Sequence, residues 1–231
     1  MKNLSIILCT YNEVITIKKT ISEIILNFPE SEIIVVDDNS NDGTQQVIKE
    51  INSNNLRLIN RNQRGLAAAC MVGLIFAKNS IVTWIDSNQP NLVKEIYNMV
   101  DELGGNDIVV MSRYVKGGKD LRSPQRVLSS RLINFICQKF LDSSIKDYTS
   151  GIFTMKKDVL IDVLPICYGH GEYFIEFLYQ SKKKGLRIKE LPFIQPPDIE
   201  FLSKTASSLT RFLKLGLFYI FRIFISKFNR H

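Results

Sequence analysis

The sequence predicts an α/β fold: a mostly parallel central sheet, helices on both faces, and a C-terminal amphipathic helix. Three observations carry this. Short apolar, β-branched runs alternate with helix-periodic segments from residue 4 to 114. Each run ends in polar residues, several of them carboxylates. The segment from Phe201 to His231 is basic and aromatic and has no acidic residue. Strands alternating with helices make parallel sheets, because parallel neighbours need a crossover connection.

Leu4-Ser5-Ile6-Ile7-Leu8-Cys9 reads as the first buried strand and stops at Thr10-Tyr11-Asn12-Glu13. Val14, Ile17, Ile21, Ile24, Ile25 and Phe28 then recur at helical spacing until Pro29. Glu32 to Asp38 is a second strand. The turn Asn39 to Thr44 offers an N-cap to a helix carrying Val47, Ile48 and Ile51. Leu56 to Ile59 is a third strand, Arg61 to Arg64 a basic loop, and Gly65 to Lys78 a helix of small residues suited to close packing on a sheet. Ser80 to Ile85 is a fourth strand, followed by a helix from Asn91 to Leu103. Asp107 to Met111 is a fifth strand, ending in Ser112-Arg113-Tyr114. Beyond it, Lys116 to Ser123 reads as a mobile polar loop, Arg126 to Leu141 as a helix, and Asp147 to Gly151 as a turn into a short strand. Glu172 to Lys183 is helical, with Glu172 and Glu176 one turn apart. Leu186 to Phe193 is a last strand, and Pro196-Pro197 closes the globular part.

At 231 residues and 45% hydrophobic, the chain can bury a full core and divides into a domain, 1–200, and an appendage, 201–231. Cys9, Cys70, Cys137 and Cys167 show no metal-ligand spacing, which points to reduced thiols in a cytosolic compartment. The first apolar run is too short for a signal peptide. Of the net charge of +7, six units come from Lys204, Arg211, Lys214, Arg222, Lys227 and Arg230. The rest of the chain is close to neutral, which argues against a nucleic-acid-binding face. Lys214, Arg222 and Lys227 set against Leu213, Leu217, Ile220, Phe221, Phe224 and Phe228 suggest a helix lying in an anionic membrane interface. A core helix with snorkelling lysines is the alternative.

Asp86 follows the strand Ser80 to Ile85 and precedes Ser87-Asn88-Gln89-Pro90. In open α/β sheets ligands bind beyond the carboxyl ends of the strands, so Glu13, Asp38 and Asp86 converge on one crevice. An ordinary helix-capping aspartate is the other reading of Asp86. The chain has no Gly-x-Gly-x-x-Gly loop, Walker lysine motif, Ser/His/Asp order or Cys/His cluster. Carboxylates without a phosphate-cradling loop suggest that a metal ion meets the phosphates of a nucleotide diphosphate, as in a transferase.

Five segments extend this: Thr10-Tyr11-Asn12-Glu13, Val35 to Thr44, Asp86, Met111-Ser112-Arg113-Tyr114 and Asp147 to Gly151. In this order they resemble the inverting A-type glycosyltransferases, with a Rossmann-like nucleotide-diphospho-sugar transferase fold. With Arg126, Ser130-Arg131 and Ser203-Lys204-Thr205, the chain is similar to the dolichol- and polyprenyl-phosphate sugar transferases over most of residues 4–210. The resemblance implies a GDP- or UDP-sugar donor, Mg²⁺ or Mn²⁺, a polyprenyl-phosphate acceptor, and a peripheral place at the cytoplasmic face of the membrane. By it, Thr10, Tyr11, Glu13, Val36, Asp38 and Ser87 hold the donor, and Asp86, Asn88 and Gln89 the metal. Arg113, Arg126 and Arg131 face the anionic groups, and Ser203 and Lys204 the acceptor. The chain departs from the family pattern at Asn88, where a second aspartate is usual, and at Asp198 to Leu202, ahead of the Ser-Lys pair.

A phosphate acceptor needs no protein base, so His170 reads as structural or acceptor-positioning. Glu172 and Glu176 read as acceptor contacts or a solvated helix face. Two other functions stay open: transfer to a cell-surface glycan, and a catalytically weakened membrane-bound scaffold.

Overall fold

The structure, a computed structural model, describes residues 1–165, 167–197 and 209–228, with side chains of the last segment described from Gly216 onward. Strands β1 (Leu4–Thr10), β2 (Glu32–Asp37), β3 (Leu56–Asn60), β4 (Ile81–Trp84), β5 (Ile108–Ser112), β7 (Phe153–Lys156) and β8 (Ile188–Pro192) form one sheet in the order β3-β2-β1-β4-β7-β5-β8. Period-two alternation splits its side chains between two cores. Ile6, Leu8, Ile33 and Val35 pack on helices α1 (Ile17–Asn27) and α4 (Glu95–Glu102). Ile7, Ile34, Val36 and Trp84 face α3 (Leu66–Phe76) and α7 (Tyr173–Lys183). The central strands read as continuous apolar runs because both faces are covered. Helix α3 lies so close to β1 that a Cβ at Gly73 would collide with Ile7. The long α5 (Pro124–Phe140) and the short α2 (Thr44–Lys49) and α6 (Val159–Asp162) lie elsewhere in the chain.

The sheet is mostly parallel, as expected, with one exception. β7 runs antiparallel to both of its neighbours, β4 and β5. It enters from the Asp147–Gly151 turn at the carboxyl ends of those strands, so it can only run back through the sheet. The expected helix from Asn91 starts as a 3₁₀ turn, Pro90–Lys94, before α4. The loop read as mobile, 116–123, is anchored: β6 (Lys119–Asp120) pairs with β9 (Ile194–Gln195) in a separate two-stranded sheet.

Helix α8 (Leu209–Phe228) packs across α7 and α5. Arg222, expected on its polar face, points inward instead. It is 6% exposed and pairs at 2.6 Å with Glu176 on α7, which is 0% exposed; it also donates to the Tyr168 carbonyl. Glu176 is therefore no solvated residue. Ile223 and Ser226 are buried beside Arg222, while Leu217, Phe221, Phe224 and Phe228 are exposed. No helix among the described residues is long and apolar enough to cross a membrane.

Removing one partner of a buried pair leaves an uncompensated charge, which costs about 3–5 kcal/mol. Arg222→Ala should lower unfolding stability in urea by that order, and Lys227→Ala, exposed on the same helix, by less than about 0.5 kcal/mol. Equal, small losses in both variants would show that α8 does not dock through this pair.

Candidate active site

Strand order reverses between β1 and β4: β2 and β3 extend the sheet on one side of β1, and β4 starts the other. A crevice opens at the carboxyl ends of strands at such a point. It is a cavity of about 1520 Å³, larger than the roughly 300–1,000 Å³ of ordinary small-molecule sites. Thr10, Tyr11, Glu13, Asp38, Asp86, Ser87, Asn88, Gln89, Arg113 and Arg126 all line it. The sequence reading had placed these residues in the site.

Two loops clamp each other beside Thr10 and Asp38. Asn12 and Asn39 adopt left-handed backbone, φ 54° and 59°, which asparagine tolerates better than most residues. The Asn12 N–H donates to Ser40 Oγ at 2.9 Å, and Asn12 Oδ1 accepts from the Asn41 N–H at 3.0 Å. Asp37, fully buried, accepts from Thr10 Oγ1 at 2.8 Å, the Ser40 N–H at 2.9 Å and Gln45 Nε2 at 2.7 Å. Asp37 thus holds the loops together, and Asp38 faces the cavity. Asp38 accepts from Arg61 Nη1 and from the Gly65 N–H, each at 2.7 Å. Burial raises the Asp38 pKa, and those two donors partly offset the rise. The Arg64 guanidinium lies 3.7 Å from the Tyr11 ring centroid, a cation–π pair.

Asp86 caps no helix. The turn at Pro90 begins at Gln89 without a side-chain cap bond. Gln89 Nε2 donates to Asp86 Oδ2 at 2.9 Å, and Gln89 Oε1 is buried without a partner. Ser87 is buried, its carbonyl accepting from Thr20 Oγ1 at 2.7 Å. Burial first, and then the Glu13 charge, push the Asp86 carboxyl up to about 6, while Arg113, Arg122 and Arg126 pull the other way.

Arg113 is fixed by Asp147. Its Nε and Nη2 donate to the two carboxylate oxygens at 2.8 and 2.7 Å, and Nη2 also reaches Thr149 Oγ1. Burial opposes ionisation of Asp147, but the Arg113 charge and hydrogen bonds outweigh it and hold the pKa below the usual range. Asp120 lies 3.6 Å from Arg113 Nη1 and takes a forked pair of bonds from Arg122, 2.8 and 2.6 Å.

Some expected residues lie elsewhere. Val36 is fully buried in the core against α3 and does not line the cavity, because strand alternation turns it to the helix face. Arg131 is exposed and outside the cavity. On α5 the residues lining the cavity are Arg126, Ser129, Ser130, Leu132, Ile133 and Ile136, and Arg131 falls on the far side of the helix with the exposed Leu128 and Phe135. Ser203 and Lys204 lie outside the described residues. Arg64, Arg122 and Tyr219 line the cavity although the sequence reading gave them no role. Only the pairing of Asp120 two residues before Arg122 hinted at one of them. His170 also lines it, its pKa lowered by burial and by Arg126 and Arg64 against the opposing Glu172. Glu172 is buried and accepts from the His170 N–H.

The sequence model of the family described as glycosyl transferase family 2 matches residues 5–164. A dolichol-phosphate mannosyltransferase of Pyrococcus furiosus is 30% identical over 201 residues, covering 82% of this chain and 55% of its own length. The chain thus spans about half of that relative. A polyprenol monophosphomannose synthase of Mycolicibacterium smegmatis is 26% identical, over 81% of this chain and 75% of its own. Among solved structures, the glucosyl-3-phosphoglycerate synthase of Mycobacterium tuberculosis, crystallised with Mn²⁺, uridine diphosphate and phosphoglyceric acid, superposes with a TM-score of 0.75. It is 18% identical, over all of this chain and 80% of that one. This likeness establishes the A-type fold.

With a folded pKa of about 6 against 3.8, Asp86 keeps a proton in the folded chain that the unfolded chain has already released. Stability from this group is present below pH 4 and is lost as pH rises to about 6. Asp86→Asn should therefore leave urea stability unchanged at pH 4 and raise it by about 1–3 kcal/mol at pH 8 in metal-free buffer. No gain at pH 8 would contradict the burial of this carboxylate.

Proposed function

The chain belongs to glycosyl transferase family 2, and within it we propose transfer of a sugar from a nucleotide-diphosphate donor to polyprenyl phosphate, with inversion at the anomeric carbon. The observation that carries this reading is the set of surfaces one cavity combines. Carboxylates, the Tyr11–Arg64 pair and the arginines Arg113, Arg122 and Arg126 line it, and so do Ile133 and Ile136 of α5 and Leu217 and Ile220 of α8, two helices that pack on each other. A phosphate head on an apolar chain matches the arginines and, as its exit, the apolar walls of α5 and α8.

A phosphate monoester loses its second proton near pH 6, so the acceptor is largely a dianion and serves as its own nucleophile. Its oxygen attacks the anomeric carbon from the face opposite the diphosphate. The bond to the diphosphate breaks, and the electron pair leaves on the diphosphate oxygen. Arg126 and Arg122 hold the anions, and Arg113, locked by Asp147, orients the wall they stand on.

The residues fit a Mg²⁺ or Mn²⁺ carried by the donor. The Asp86 carboxylate lies beside the unpartnered Gln89 Oε1, and Asn88 lines the same wall. No group of three or more His, Cys, Asp or Glu among the described residues could hold a metal alone, so diphosphate oxygens would complete the shell. A bound ion supplies Lewis-acid stabilisation of the leaving diphosphate.

Leu128, Leu132 and Phe135 of α5 and Leu217, Phe221, Phe224 and Phe228 of α8 are exposed, with the Phe140 and Phe224 rings in contact at 6.5 Å. We assign this face to an anionic bilayer surface on the cytoplasmic side. Arg131 and Lys227 at its edge suit lipid phosphates. A hydroxyl acceptor, such as a cell-surface glycan, is a second reading. It is favoured by His170, a neutral imidazole in the cavity able to take a proton.

With labelled GDP- or UDP-sugars, label should enter lipid when polyprenyl phosphate is the acceptor and not when polyprenol is. Asp86→Ala should cut the rate roughly a hundredfold or more. Label in soluble glycan alone would replace this reading with the second one. Asn88→Asp adds a charged oxygen and should tighten Mn²⁺ binding in the presence of the nucleoside diphosphate. Affinity unchanged in both Asp86→Ala and Asn88→Asp would refute the metal site. For the membrane face, Leu128→Ser with Phe221→Ser should weaken binding to phosphatidylglycerol vesicles about tenfold while unfolding stability stays within about 0.5 kcal/mol. Unaltered vesicle binding would place the membrane contact elsewhere.

A further inference from the structure

Helix α8 does more than cover the fold: one of its side chains enters the cavity. Tyr219 lies two residues before the apolar face at Phe221 and three before the buried Arg222, and it turns inward to line the cavity with Gly216 and Ile220. Its hydroxyl stands over the loop Gly169-His170-Gly171, where a Cβ at Gly171 would come within 2.7 Å of Tyr219 Oη and 3.9 Å of Cζ. The glycine thus makes room for the oxygen atom. No hydrogen-bond acceptor for that hydroxyl is found among the described residues. Arg113, Arg122 and Arg126 all act on Tyr219, and the same three act on Asp86. The same guanidiniums are therefore near both the carboxylate at the end of β4 and the phenol of α8, which also feels the Glu172 carboxylate.

We propose that Tyr219 is an acceptor-binding residue whose hydroxyl donates a hydrogen bond to the acceptor's phosphate, opposite Arg122 and Arg126. This rests on the phosphate-acceptor reading above. It adds that α8, the helix with the exposed apolar face, carries a contact to the reacting group. A lipid phosphate entering between α5 and α8 meets this phenol where its head leaves the apolar exit. The hydroxyl remains a neutral donor, because burial and then the Glu172 charge hold its pKa above the usual phenol range despite the three arginines.

The test uses farnesyl phosphate as the probe and farnesol as its phosphate-free control, with binding measured by calorimetry on the full chain. A hydrogen bond to a charged oxygen predicts that Tyr219→Phe weakens farnesyl phosphate binding about tenfold. In turnover, the acceptor KM should rise by a similar factor and the donor KM should not. Gly171→Ala displaces the hydroxyl and should imitate Tyr219→Phe. In the Tyr219→Phe background the added methyl meets only ring carbon at ordinary distance, so Gly171→Ala should then cost nothing further. Such non-additivity marks direct coupling and would not arise from two unrelated losses of stability. Wild-type affinity in Tyr219→Phe, or strictly additive losses in the double variant, overturns the assignment and leaves the phosphate reading intact. If the wild-type chain binds farnesyl phosphate no better than farnesol, both fall together.

Discussion

A guanidinium buried at the end of β5 sets the arginine-lined half of the cavity. Arg113 reaches Asp147 with two parallel bonds and Thr149 with a third. The Asp147 main chain in turn donates to Glu190 on β8. Through Asp120 the same arginine is tied to Arg122 and to the Tyr114 hydroxyl. Desolvating two charges offsets most of their attraction, so such a pair contributes little net stability. What it contributes is position. It holds the turn before β7, the end of β5 and the loop that carries Arg122 in one arrangement. Two arginines then face the cavity without having to be ordered by the ligand.

The carboxylate-lined half is built the same way. Asp37 is spent on loop structure, which leaves Asp38 and Asp86 as the acidic groups that meet solvent and ligand beside Glu13. Both Asp38 and Asp86 have raised pKa values, chiefly from burial and further from a neighbouring carboxylate, Asp37 and Glu13 respectively. Such sites favour a bound cation or hydrogen-bond donor, which relieves the uncompensated charge.

Much of this was legible in the sequence. Strand ends are marked by abrupt changes from β-branched to polar residues, so Thr10, Glu13, Asp38 and Asp86 could be placed in one crevice before any coordinates. Pairings between distant segments were not legible. The antiparallel return of β7 depends on where a turn lies in space, and Arg113 could not reveal its commitment to Asp147. Arg131 and Val36, assigned to the site by resemblance alone, stand outside the cavity because Arg131 is on the far side of α5 and strand alternation turns Val36 to the core. Within the segment 207–228, charge pattern alone cannot separate an arginine that faces lipid head groups from one that pairs with a glutamate on a neighbouring helix. Arg222 is the second kind, and Tyr219 enters the cavity because Arg222 sets the rotation of α8.

The central claim is that one cavity holds a nucleoside diphosphate at the strand ends and a lipid phosphate between α5 and α8 at the same time. Amide hydrogen exchange with each ligand alone and with both tests it most directly. Uridine or guanosine diphosphate with Mn²⁺ should protect residues 10–13, 37–45 and 86–90. Farnesyl phosphate should protect 126–136 and 216–220, and the two patterns should add when both are present. Competition between the ligands, or lipid phosphate protecting the 10–13 and 37–45 loops instead of α5 and α8, would contradict the account.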